Sequence, residues 1–128
     1  MQNFSKKQVG ALGEDLACKF LVKKGFIVLD RNYWQKFGEI DIVAKKGHII
    51  RFIEVKTVSC RMYEAGNRDN YRPEDNVHPQ KIKRLARAIQ TYVLDKNIEN
   101  EFQIDVITVK LDLDNKKARI QFLENIVL

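Results

Sequence analysis

The 128-residue sequence holds only two cysteines, two prolines, one tryptophan and two histidines. Cys18 falls inside a helical pattern and Cys60 in a polar segment, with no CxxC pair and no neighbouring histidine, so a zinc site of the usual kind is excluded. Two unpaired thiols fit a reducing compartment. No run approaches the roughly 20 consecutive apolar residues that span a bilayer, and Met1 to Lys7 is polar with no apolar signal core behind it. A cytoplasmic location is therefore expected. No internal repeat or low-complexity tract is present.

What the chain does have is a 45% hydrophobic content, sufficient for one buried core, and a formal charge of +6. A single domain over residues 1–128 is expected. The basic excess points to an anionic partner, although an ordinary solvated surface explains charge alone equally well. It lies mostly in the first half and in one later segment, where Lys81, Lys83, Arg84, Arg87 and Lys96 stand against Asp95 alone between residues 78 and 96.

Ser5-Lys6-Lys7-Gln8 reads as a capping box, and Val9, Leu12, Leu16 and Phe20 then recur at helical spacing until Gly25, giving a first helix over about Lys6–Lys24. Phe26 to Leu29 is a short strand signal followed by turn formers Asp30, Arg31 and Asn32. Gly38 to Ala44 alternates, with Glu39, Asp41 and Val43 on one side and Ile40, Ile42 and Ala44 on the other. Ile49 to Thr57 is a third strand, paired with the second through a tight turn in Lys45-Lys46-Gly47-His48. Residues 58–78 lack periodic apolar signal and read as a long loop, functional or mobile. A second helix begins at Pro79 with an apolar stripe of Ile82, Leu85, Ala86, Ile89 and Val93, and two more strands follow over Phe102–Leu113 and Ala118–Leu123. This order predicts an α/β (α+β) sandwich with helices packed on a mixed central sheet.

The third strand carries the anomaly. A period of two sets Ile50, Phe52, Glu54 and Lys56 on one face and Arg51, Ile53, Val55 and Thr57 on the other. A strand covered on both faces should be almost wholly apolar, and buried charges cost several kcal/mol unless paired or metal-bound. With a two-residue turn centred on Lys46-Gly47, Asp41 lies opposite Phe52 and diagonal to Glu54, roughly 7–8 Å away on the same face. A turn one residue longer would separate them. Two such carboxylates hold Mg²⁺ or Mn²⁺ rather than zinc, and Lys56 points its ammonium to the same place. The competing reading of Glu54 and Lys56 is a same-face ion pair at the wet end of a strand.

Gly13-Glu14 on the first helix, Gly38-Glu39-Ile40-Asp41-Ile42-Val43 and Phe52-Ile53-Glu54-Val55-Lys56-Thr57 together resemble the bacterial YraN-like family. That family is similar to archaeal Holliday junction resolvases of the PD-(D/E)XK endonuclease-like superfamily. The resemblance implies a restriction-endonuclease-like αβββαβ core, with Asp41 and Glu54 as metal ligands, Lys56 as the catalytic lysine and Glu14 as a further acid. It implies a Mg²⁺- or Mn²⁺-dependent endonuclease acting on structured or branched DNA, and a homodimer with two sites is compatible with it. The alternative is a non-catalytic nucleic-acid-binding module on the same fold. Ala11, Val58 and the segment Arg61 to Arg72 depart from the family pattern.

Gly10 and Gly13 suggest close packing of the first helix on the sheet. Lys81, Lys83, Arg84 and Arg87 lie off the apolar stripe of the second helix, where they can follow a phosphate backbone or simply form a solvated face. Tyr63 and Tyr71, interleaved with Arg61, Arg68 and Arg72, can stack on unpaired bases. His48 and His78 suit cap or surface roles.

Overall fold

The computed structural model describes residues 4–60 and 79–126. Along the chain run α1 (Lys6–Lys23), β1 (Ile27–Gln35), β2 (Gly38–Lys46), β3 (Ile49–Cys60), α2 (Pro79–Asp95), β4 (Phe102–Asp112) and β5 (Lys117–Leu123). The strands form one five-stranded sheet in sequential order, antiparallel except for the β3–β4 pair, which is parallel. A parallel pair needs a crossover between its strands, and α2 lies within it. The mixed α/β architecture expected from periodicity is therefore present, with β5 added to the αβββαβ order. Among the described residues no helix is long and apolar enough to cross a membrane.

Local chemistry sets the element ends. The Ser5 hydroxyl accepts from the Gln8 amide at 3.1 Å while the Gln8 side chain accepts from the Ser5 amide at 2.8 Å, so the capping box is closed in both directions. At the other end Gly25 takes φ +93°, its amide donates to the Val22 carbonyl, and the Phe26 amide donates to the Leu21 carbonyl. This paired reversal satisfies two carbonyls that the helix leaves open, and it needs a residue without a Cβ.

Helices cover both faces of the sheet and divide the core in two. On the α1 side Ala17, Leu21 and Phe26 pack against Ile42, Ile53 and Val55 of the sheet. On the α2 side Leu85, Ala88, Ile89 and Tyr92 pack against Val43, Ile50 and Phe52. The two faces read from β3 are thus both found. Each large apolar side chain buried this way stabilises the fold by about 1.5–3 kcal/mol relative to exposure.

Four expectations change. β3 runs on through Val58, Ser59 and Cys60, read as the start of the loop 58–78, because these residues pair with Lys110, Leu111 and Asp112 of β4. β1 does not stop at Leu29: Asp30, Arg31 and Asn32 lie within it, the register shifting between Val28 and Asp30 and Asn32 taking φ +53°. These residues read as a turn because Asn and Asp tolerate such conformations, which a distorted strand also uses. The β2–β3 turn is centred on Gly47-His48, not Lys46-Gly47, with Lys46 paired to Ile49. Gly47 at φ +62° occupies the first central position, the place where a type II′ hairpin turn puts glycine. Finally, Gly10 has no neighbour within 4 Å of the position a Cβ would occupy, so only Gly13 answers to close packing.

A Cβ on Gly13 would collide with the Thr57 hydroxyl, so bare backbone is what lets α1 settle on the Thr57 face of β3, opposite the face of Glu54 and Lys56. Gly13→Ala is expected to destabilise the protein by about 1–3 kcal/mol in urea unfolding despite alanine's better helix propensity. Adding Thr57→Ala to it should recover most of that loss, whereas an undiminished loss in the double variant would remove this contact as the cause.

Candidate active site

At Asp41 the sheet opens. The β1–β2 rungs pass from Arg31 and Ile42 directly to Tyr33 and Ile40, and the β2–β3 rungs end at Ile42 and Ile53. The side-chain alternation shifts across the same point, with Ile42 and Ala44 in the α1 core but Ile40 joining Val43 in the α2 core. The two-sided pattern expected for Gly38 to Ala44 therefore holds only beyond Asp41. Where the ladder has parted, the Asp41 carboxylate accepts from the Val55 amide of β3 at 2.8 Å, giving that main-chain donor a side-chain partner.

Continuing the observed register by one step puts Asp41 opposite Glu54, nearer than the diagonal position expected. The turn lies one residue further along the chain than Lys46-Gly47, which moves the pairing by two residues and so keeps the face unchanged. Asp41 is 8% and Glu54 5% exposed, and the two carboxyl groups stand close enough to act strongly on one another. Burial first, then the adjacent Glu54 charge, push the Asp41 carboxyl up to about 8 from an ordinary 3.8, against the pull of the Val55 amide. In the absence of a bound metal ion Asp41 therefore holds its proton more tightly than a free carboxyl does.

The surrounding groups arrive from both helices. Lys81, in the first turns of α2, pairs its ammonium with Glu54 Oε1. Lys81, expected on a phosphate-following face, thus also reaches the acidic centre. Glu14 of α1 is half-buried, with Oε1 shielded from solvent and without a hydrogen-bond partner. Burial raises its pKa, Arg31 opposes that, and Glu39, Asp15 and Glu54 add to it, so Glu14 stands within electrostatic reach of the site. Glu39 is exposed but acts on both Glu14 and Lys81. Lys56 is half-buried and, on the regular β3–β4 ladder, follows Glu54 on the same face.

Lys83, Arg84 and Arg87 lie exposed on α2, with the Arg87 guanidinium over the Phe37 ring. Arg61, Arg68, Arg72, Tyr63 and Tyr71 lie outside the described residues, as does the rest of 61–78. Among the described residues no group of three or more His, Cys, Asp or Glu stands ready to hold a metal ion. A pair of carboxylates nevertheless suits a hard cation that keeps several waters, as Mg²⁺ does.

A second buried acid escapes the reading by motif. Asp105 on β4 is 0% exposed and is bound by Arg51 at 2.9 Å, by Gln103 at 2.8 Å and by the Asn125 amide at 2.8 Å. Arg51 also binds Glu124 at 2.9 Å and lies over the Phe26 ring. An acid in the apolar run Phe102 to Leu111 is the available signal, the same that exposes Glu54.

Residues 13–109 match the model of the family described as Uncharacterised protein family UPF0102. The chain belongs to the UPF0102 family. A UPF0102 protein of Campylobacter jejuni subsp. doylei is 44% identical over 117 residues, 91% of either chain. One from Dictyoglomus turgidum is 37% identical over 122 residues, 94% of this chain and 98% of its own, and one from a Sulfurovum species is 37% identical over 123 residues, 95% and 96%. The UPF0102 match spans every element that builds the acidic centre, from Gly13 of α1 to Lys81 of α2.

The raised Asp41 pKa fixes the sign of a pH effect. The folded metal-free protein holds this proton more tightly than the unfolded chain, so its contribution is full below about pH 4 and is lost as pH rises to about 8. Asp41→Asn, whose amide oxygen can still accept from Val55, is expected to be more stable than the parent at pH 8, on the order of a few kcal/mol, with the gap closing near pH 4. Thermal melts of the two proteins in chelator from pH 4 to 8 check this, and parallel curves would show that Asp41 titrates normally.

Proposed function

We propose that this protein is a divalent-cation-dependent endonuclease that hydrolyses phosphodiesters of structured or branched DNA. The observation that carries this reading is the meeting of Asp41 and Glu54 in a buried carboxyl pair, with Lys56 two residues beyond on the same strand face. Like charges at contact with so little solvent are costly unless a cation joins them, and Lys81 supplies only one positive charge. The Glu14 oxygen without a hydrogen-bond partner is a further acceptor within electrostatic reach of the pair. The donor set, all oxygen, fits Mg²⁺ or Mn²⁺.

Asp41 and Glu54 would hold the cation, which when bound polarises a phosphoryl oxygen and acidifies a water. The Val55 amide keeps one Asp41 oxygen in place, leaving the carboxylate oriented before any ligand arrives. Lys56 extends from the same face to stabilise charge that builds on the phosphate during attack. Lys81 has a different part: it neutralises Glu54 in the metal-free protein and would yield that place to a bound cation. Once released, it adds a cationic group beside Lys83, Arg84 and Arg87 of α2, where a phosphate backbone would lie. Two copies related by a twofold axis would offer one such site to each strand of a branch.

Cleavage of labelled single-stranded, duplex, flap and four-way-junction DNA in Mg²⁺ or Mn²⁺ tests this. Metal-dependent products are expected from the parent, loss of activity from Asp41→Ala, and a fall of about 10²- to 10³-fold from Lys56→Ala. Salt-sensitive binding with no cleavage of any substrate would replace the nuclease with a non-catalytic nucleic-acid-binding module.

A further inference from the structure

The hairpin that carries Asp41 also carries two aromatic side chains that neither core uses. Trp34 is 70% exposed near the end of β1, and Phe37 is 54% exposed in the turn. Isolated exposed apolar residues are ordinary on protein surfaces. Trp34 is distinguished by where it stands.

Its cross-strand partner is Glu39, the residue that acts electrically on both Glu14 and Lys81. Glu39 is two positions from Asp41, a separation of about 7 Å along a strand. The backbone of Trp34 therefore lies one strand over and two residues along from the position opposite Asp41. The tip beyond it is cationic: Lys36 lies in the turn, and the Arg87 guanidinium sits 5.5 Å from the centre of the Phe37 ring. Aromatic faces interleaved with basic groups are what unpaired nucleic acid binds.

The hairpin is also held firmly. A Cβ on Gly38 would stand 2.6 Å from the Arg84 carbonyl, so α2 rests directly on the strand. Tyr33, next to Trp34, packs edge-on against Tyr92 at 4.9 Å, and the Tyr92 hydroxyl donates to Asp30 at 2.8 Å. An aromatic platform anchored from behind loses little freedom when a ligand stacks on it.

We propose that Trp34 is a stacking platform for one unpaired nucleobase flanking the phosphodiester at the Asp41 and Glu54 pair. The ligand class rests on the nucleic-acid reading given above. A base inside a duplex has both faces covered by its neighbours, so Trp34 finds a partner only in single strands, flaps and branch points. Selection for DNA structure then comes from stacking and is independent of sequence.

Trp34 is the sole tryptophan of the chain, so its emission reports this side chain alone. Titration of the parent protein in EDTA with a thymidine oligonucleotide of about 12 residues should quench that emission, and a blunt duplex should not. In anisotropy measurements with a labelled single strand, Trp34→Ala should bind about 10- to 100-fold more weakly and Trp34→Phe close to the parent, with duplex binding unchanged in both. Single-strand binding without quenching, or an unaltered affinity in Trp34→Ala, would overturn the platform. Metal-dependent cleavage with unchanged substrate selectivity in Trp34→Ala would overturn it while leaving the nuclease intact. Quenching by single strands with no cleavage under any metal would support the platform and defeat the nuclease.

Discussion

Two carboxyl groups buried in contact cannot both carry charge unless a cation joins them, and the region around Asp41 and Glu54 is organised by that constraint. β2 leaves the ladder at Asp41, trading main-chain pairing for a carboxylate bound to the Val55 amide. Lys81 comes from α2 to neutralise Glu54, and Gly13 lets α1 approach so closely that Glu14 comes within electrostatic reach of the same place. Each feature departs from regular packing. Together they hold an acidic centre on the sheet, with Lys81 of α2 paired to it.

Asp105 shows what a buried acid looks like when its purpose is structural. Its two oxygens are met by Arg51, Gln103 and the Asn125 amide, which tie β3, β4 and the residues after β5 together. The Asp105 carboxylate asks for no further ligand. The Asp41 and Glu54 pair has two carboxyls, one ammonium and one amide, and it raises the proton affinity of Asp41. The same residue type in the same kind of apolar strand thus stands in two different environments, and the difference lies in whether its charge is satisfied.

Much of the architecture is legible in the order of residues alone. The capping box, Gly25, the two faces of β3 and the stripe of α2 are set by local chemistry and periodicity, so they can be read from nearest neighbours in the chain. The prominence of Asp41, Glu54 and Lys56 comes from the same periodicity, because charges interrupt an otherwise apolar strand. The extent of β1 is hidden, since Asp30, Arg31 and Asn32 read as a turn while pairing with β2 holds them in the sheet. The turn at Gly47-His48 depends on glycine's preference for the first position of a II′ turn. Lys81 is paired across the molecule with Glu54, which no pattern along one helix reveals, and the break at Asp41 belongs to three strands at once. Contacts between distant segments are the part that sequence periodicity does not encode.

The central claim is that the carboxyl pair is a cation site, and the most direct measurement is Mn²⁺ binding to the metal-free protein followed by electron paramagnetic resonance. One ion bound per chain, with affinity lost in both Asp41→Asn and Glu54→Gln, is the expected result. Absence of binding at millimolar Mn²⁺ near pH 8, where Asp41 can release its proton, would contradict it.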